Sequence, residues 1–299
     1  MRTTVGFDVG SVRLAGEVVV PDGAGPFPAV VFVHGSGPAT HGDWQDEARY
    51  LAEDGVAALA YDKPGCGAST GDWTRQSFDD RAAETLAALR FLQRQAGVDP
   101  ALVGLLGASQ GAWVAPMAAA VSDDVSFVVA ASASGVGPRE QDRFRVEQGL
   151  GSGGFSEADV ERALTRWEER DRRLERGEPA AAILADEREV RDEPWYPILD
   201  FDTPDVLDFV ARNWTFDPVP HLKRCRCPVL AVWGAEDGIV PVERSRAIFA
   251  EVLGGRVQLV VLPRSGHHLR VGQGAPWGSA ALPLIADWIR SRADGVRGT

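Results

Sequence analysis

The chain has 299 residues with 31 Lys and Arg against 43 Asp and Glu, a formal net charge of −12. So acidic a balance disfavours nucleic acid and anionic membrane surfaces as partners, since both would repel it. At 44% hydrophobic and 25% charged, the composition excludes a disordered or fibrous protein and suffices for one large α/β domain, or a core plus a smaller insertion. No run approaches the ~18 apolar residues that span a bilayer, and Met1 to Asp8 lacks an apolar core of signal-peptide length. A cytoplasmic location is therefore expected. Cys66, Cys225 and Cys227 are odd in number and form no C-x-x-C pair, so reduced thiols and no metal site are predicted.

In chain order, residues 3–9 and 12–20 alternate apolar and polar around Asp8-Val9-Gly10-Ser11, which predicts an antiparallel hairpin at a sheet edge. Ala29-Val30-Val31-Phe32-Val33 is continuously apolar, as in a strand covered on both faces. It runs into His34-Gly35-Ser36-Gly37-Pro38, a glycine-rich loop at the strand's carboxyl end, where open parallel sheets bind ligands. A short helix over 44–54 and a strand over 56–61 follow. Asp62 to Ser69 is a second glycine-rich loop on the same side. Ser77 with Asp80 forms a capping box for a helix to Gln95, with Phe78, Ala82, Leu86, Leu89 and Leu92 on one face and Gly97 as its stop. A strand over 102–106, a helix over 110–121 and a strand over 127–131 complete the first part. Strands alternating with helices at this spacing predict an α/β fold with a doubly wound, mostly parallel sheet.

Between Gly135 and about Pro220 the short apolar runs disappear, and Arg, Glu and Asp are densely mixed. Four helices are expected here: one opened by Pro138, one from Ser156 to Gly177 carrying Val160, Leu164, Trp167 and Leu174, one over 180–191, and one capped by Thr203-Pro204 that ends near Asn213. Inserted between two strands, they would form a lid over the carboxyl edge of the sheet. The predicted division is therefore a first core part over 1–136, a helical cap over 137–220 and a second core part over 221–299. In the last of these, strands are expected over 228–233 and 257–262, and helices over 243–253 and 279–290.

The chemistry centres on Gly107-Ala108-Ser109-Gln110-Gly111, a G-x-S-x-G between a strand and a helix. On such a turn the serine side chain is pushed out of the sheet edge, and the helix behind it aims its N-terminal dipole at any anion formed there. A serine hydroxyl needs a base to take its proton and an acid to orient that base. Of five histidines, His34, His41, His221, His267 and His268, only the last two follow a late strand after a loop carboxylate. Asp237 then stands after one strand and His267 after the next, in the order Ser, Asp, His. His268 is a rival to His267, and Glu236 a weaker rival to Asp237. Trp113, Trp195, Tyr196 and Trp214 are candidates for an apolar acyl pocket.

The joint pattern His34 to Pro38 (H-G-S-G-P), Tyr61 to Ser69 (Y-D-K-x-G-x-G-x-S), Gly107 to Trp113, Trp233 to Pro241 (W-G-x-x-D-x-x-V-P) and Gly266-His267 resembles the α/β-hydrolase superfamily, in particular its bacterial capped serine esterase and hydrolase group. The resemblance implies a helical cap after the sixth strand and an oxyanion hole made by the N–H groups of Gln110 and Ser36, with Gly35 or Gly37 as alternatives to Ser36. It implies acyl transfer from a small-molecule acyl substrate without a cofactor. A serine nucleophile argues against the carboxylate-based chemistry of haloalkane dehalogenases and epoxide hydrolases. Carboxylic esters are the default substrate, since an alcohol leaves more readily than an amine. Thioesters, lactones and amides stay open, as do a small capped aminopeptidase and a non-catalytic binding protein of the same fold. His34 and Asp62 are expected to be structural, and nothing in the pattern indicates a homodimer.

Overall fold

In the computed structural model, which describes residues 1–270, 272 and 274–297, strands β1 (Arg2–Val9) and β2 (Val12–Val19) form the expected hairpin, turning through Gly10 at φ 57°. The chain continues as β3 (Phe27–Val33), α1 (Gln45–Glu53), β4 (Ala57–Tyr61), α2 (Phe78–Leu92), β5 (Val98–Ala108), α3 (Gly111–Val121) and β6 (Val128–Ala131). Strand β5 is longer than the apolar run suggests, because Val98 reaches back to pair with Phe27. The Ser77 hydroxyl caps α2 by accepting from the Asp80 N–H at 3.1 Å, while the Asp80 carboxylate accepts from the Ser77 N–H at 2.8 Å.

Beyond β6 come α4 (Pro138–Ser152), α5 (Glu157–Glu175), α6 (Ala180–Asp186), the single turn α7 (Tyr196–Leu199) and α8 (Pro204–Asn213). The helix expected over 180–191 stops at Asp186 and continues only as a tight 3₁₀ turn, Glu187–Val190. This is where Glu187 turns inward to accept from two of the three guanidinium nitrogens of Arg170. Thr203 stands at the N-cap position of α8, but its side chain makes no capping bond and lines a cavity instead. The insertion has a core of its own, in which Val146, Leu150, Trp167, Ile183, Leu199 and Leu207 meet.

Helix α9 (Val219–Arg224) returns to pack on α3, followed by β7 (Val229–Gly234), α10 (Val242–Leu253), β8 (Val257–Leu262) and α11 (Leu282–Arg297). The last helix starts three residues later than expected and runs further; the predicted core end at 299 lies outside the described residues. The eight strands lie in the order β1-β2-β4-β3-β5-β6-β7-β8, with β1, β2 and β4 antiparallel neighbours and every other pair parallel.

Period-two alternation divides the sheet between two apolar layers. Ala29, Val31 and Val33 pack with α2 and α3, whereas Val30 and Phe32 pack with α1 and α11. The order reverses at β3, which lies between β4 and β5. A crevice therefore opens at the carboxyl ends of β3 and β5, where chain connections leave in opposite directions.

Candidate active site

Both loops singled out in the sequence leave the sheet at that crevice. Between β5 and α3, Ser109 adopts φ 53°, a left-handed conformation that non-glycine residues seldom occupy. The turn cannot relax around it: a Cβ on Gly107 would lie 2.2 Å from the Gly111 carbonyl oxygen, and one on Gly111 only 2.0 Å from that of Val33. With its N–H bonded to the Ala131 carbonyl at 2.9 Å, Ser109 presents its hydroxyl to the cavity above the sheet.

The His267 ring lies against that hydroxyl, Nε2 to Oγ 2.9 Å. Its Nδ1 lies 2.8 Å from the Asp237 carboxylate. The other oxygen of Asp237 accepts the N–H groups of Ile239 at 2.8 Å and Val240 at 3.0 Å, so both oxygens are held and the side chain is buried. Ser132, itself at φ 49°, donates its hydroxyl to the His267 carbonyl at 2.6 Å. The structure thus brings together Ser109, Asp237 and His267 from the ends of three strands. It leaves Glu236 exposed and sets His268 edge-on to His267, ring centres 5.7 Å apart. Burial, then the His267 charge, lowers the affinity of His268 for a proton.

Gln110 and Ser36 also line the cavity, and among the described residues neither backbone N–H makes a hydrogen bond. The loop bearing Ser36 lies close to the serine turn, since a Cβ on Gly35 would sit 3.5 Å from that of Ser109. His34 is occupied elsewhere. Its Nδ1 accepts from the Trp44 indole at 2.8 Å, which leaves Nε2 to donate to the Tyr61 carbonyl at 2.6 Å. Burial and the neighbouring Lys63 push its imidazole down to about 3. Asp62 ties loops together, accepting from the N–H groups of His41 and Ala68.

The cavity encloses about 840 Å³. Trp113 and Trp214 are in its wall; Trp195 and Tyr196 are not. Those two belong to the core of the insertion, where the Tyr196 hydroxyl donates to Glu187 at 2.9 Å, a correction that follows from their burial in that core. Sequence reasoning missed Trp73, Phe78 and Phe209, which form an aromatic wall: Trp73 to Phe209 5.3 Å and Phe78 to Trp113 5.6 Å between ring centres. The spacing of Val206, Phe209, Val210 and Asn213 on one face of α8 was the available signal. Among the described residues no cluster of His, Cys, Asp and Glu could hold a metal, and no helix is long and apolar enough to cross a membrane.

A model of the alpha/beta hydrolase family matches residues 30–278. The chain belongs to that family. The chain is 28% identical to Esterase EstD of Thermotoga maritima over 271 residues, 87% of its own length but 59% of the relative's. Among solved structures it is similar in fold to the alpha/beta hydrolase GrgF from Penicillium, with a TM-score of 0.67 and 19% identity over 97% of this chain and 98% of the other. It is similar also to Est1E from Butyrivibrio proteoclasticus with ferulic acid bound, with a TM-score of 0.61 and 19% identity over 99% and 100% of the two chains.

Proposed function

We propose that this hydrolase is a serine esterase that cleaves carboxylic esters through an acyl-enzyme. The observation that carries this reading is the unbroken row Ser109 Oγ, His267, Asp237 in a cavity that Gln110 and Ser36 also line. Ser109 attacks the ester carbonyl carbon while His267 Nε2 takes its proton, and the carbonyl π electrons move onto oxygen. The N–H groups of Gln110 and Ser36 stabilise that oxyanion, each such donor contributing on the order of 2.7 to 4 kcal/mol. As the C=O re-forms, the alcohol leaves with the proton from His267. Water then attacks the acyl-enzyme, giving its proton to the same nitrogen, and the acid departs as His267 returns that proton to Ser109 Oγ. Asp237 holds the imidazole in the tautomer that donates from Nδ1 and stabilises its charged form.

Residues 137–220 act in this reading as a cap, since Phe201, Val206, Phe209 and Trp214 all face the cavity. A small-molecule acyl substrate enters beneath it. The similarity to an esterase supports an ester over a thioester or amide.

The test is hydrolysis of short-chain p-nitrophenyl esters by the wild type and by Ser109→Ala, with labelling by a fluorophosphonate alongside. The wild type should turn over the ester and accept the label, and the variant should do neither while melting like the wild type. Undiminished turnover in the variant would sink the assignment. A folded wild type that neither hydrolyses nor labels would point to a binding protein instead. A panel of esters, acyl-thioesters and aminoacyl amides then ranks the leaving groups.

A further inference from the structure

Two buried basic side chains behind the His34 to Pro38 loop take no part in the acyl-transfer steps. The Lys63 ammonium nitrogen donates to the Gly35 carbonyl at 2.6 Å and to the Gly37 carbonyl at 2.6 Å. Arg81 donates one guanidinium nitrogen to the His34 carbonyl at 2.6 Å and another to the Gln110 side-chain oxygen. Their residues are 1% and 3% exposed, so these bonds face little competition from water. Three carbonyls of one five-residue loop therefore end on two side chains. We infer that Lys63 and Arg81 are positioning residues for the oxyanion hole, fixing the peptide units whose N–H groups face Ser109.

The reason lies in peptide geometry. The Gly35 carbonyl and the Ser36 N–H belong to one planar trans unit and point in opposite directions. Capturing the oxygen behind the loop sets the direction of the N–H in front of it. The same relation links the His34 carbonyl to the Gly35 N–H. Without such anchors, a loop with glycines at 35 and 37, the latter at φ 78°, has wide conformational freedom and would have to order its donors during the reaction. Lys63 is located from a third side by the Trp73 ring, 5.3 Å from its nitrogen. Arg81 spans both halves of the hole, joining the loop after β3 to the residue next to the nucleophile. The buried Glu84 carboxylate offsets their mutual repulsion.

This inference rests on the serine-esterase reading, and its test separates the two. Lys63→Met removes the two bonds while leaving Ser109, His267 and Asp237 untouched. With p-nitrophenyl butyrate its kcat should fall about tenfold to a hundredfold, less than the loss of a whole oxyanion donor, with KM within about twofold. Inhibition by a trifluoromethyl ketone, whose adduct on Ser109 carries the oxyanion, should weaken by the same factor. Unchanged kcat, or a fall in kcat with inhibition intact, overturns the inference while the esterase reading stands. If the variant does not fold, a crystal structure of the wild-type ketone adduct decides. The adduct oxygen on the N–H groups of Ser36 and Gln110, with Lys63 still on Gly35 and Gly37, supports the inference; a different donor or a released Lys63 overturns it. A wild type that neither hydrolyses the ester nor binds the ketone removes both readings.

Discussion

The hydroxyl of Ser109 and the imidazole of His267 are held by different means. Ser109 is held by backbone strain, of order 1–3 kcal/mol for a non-glycine residue in the left-handed region, which persists because Gly107 and Gly111 are clamped against neighbouring carbonyls. His267 is held by hydrogen bonds at its ring to Asp237 and at its carbonyl to Ser132. His268 shares the cavity but has no bond to the serine. His267→Ala is therefore expected to lower kcat for an ester by about 10⁶-fold, and Asp237→Asn by about 10⁴-fold through the wrong tautomer. His268→Ala should keep most of the activity. Parallel kinetics on the three folded variants check this, and a dead His268→Ala beside an active His267→Ala would reverse the two roles. The order of Ser, Asp and His was legible because each follows an apolar strand, a local pattern. The choice between adjacent histidines was not, since it depends on which ring the β8 loop turns toward α3.

Helix α8 is the element that joins the insertion to the core. Asn213 at its end accepts the Phe78 N–H at 2.8 Å and donates to the Phe209 carbonyl at 2.9 Å, so the first free N–H of α2 is satisfied by a residue 135 positions away. Phe209 stacks edge-on against Trp73 and Phe78, and Trp214 is held by its indole N–H on Asp171 at 2.9 Å, a carboxylate that Arg139 also grips. The existence of α8 was readable from its proline and its apolar period. Its partners were not, because an Asn near a helix end reads as solvated until the chain folds back. The same limit misplaced Trp195 and Tyr196, aromatic residues whose side of the insertion no local period defines. Truncating Phe209 to Ala should cost about 3–5 kcal/mol of stability, as for other buried Phe residues. It should also open the aromatic wall and raise the kcat/KM ratio of p-nitrophenyl decanoate over the acetate. Chain-length profiles that superimpose on those of the wild type would show that this wall does not contact the acyl group.

At the scale of the molecule, two buried titratable groups, His34 and Glu47, bias the response to acid in opposite directions. Burial raises Glu47 from 4.5 to about 7, so the folded protein keeps a proton that the unfolded chain releases between those values. Its contribution to stability is fully present below pH 4.5 and is lost as the pH climbs through 7. His34 is depressed from 6.5 to about 3, so the unfolded chain takes up a proton that the folded protein refuses. Its contribution is present above pH 6.5 and is lost as the pH falls towards 3. Each proton corresponds to a slope of at most about 1.4 kcal/mol per pH unit, and between pH 4.5 and 6.5 the two slopes oppose each other. Glu47→Gln removes one of them and leaves His34 unopposed. The variant should therefore lose ground to the wild type as the pH is lowered from 7 to 4.5, the difference in melting temperature shifting by several degrees in favour of Glu47. Melting both proteins at fixed ionic strength across that range measures it. A difference that stays constant with pH would mean that Glu47 titrates as an ordinary surface carboxylate and that its burial in α1 carries no protonic consequence.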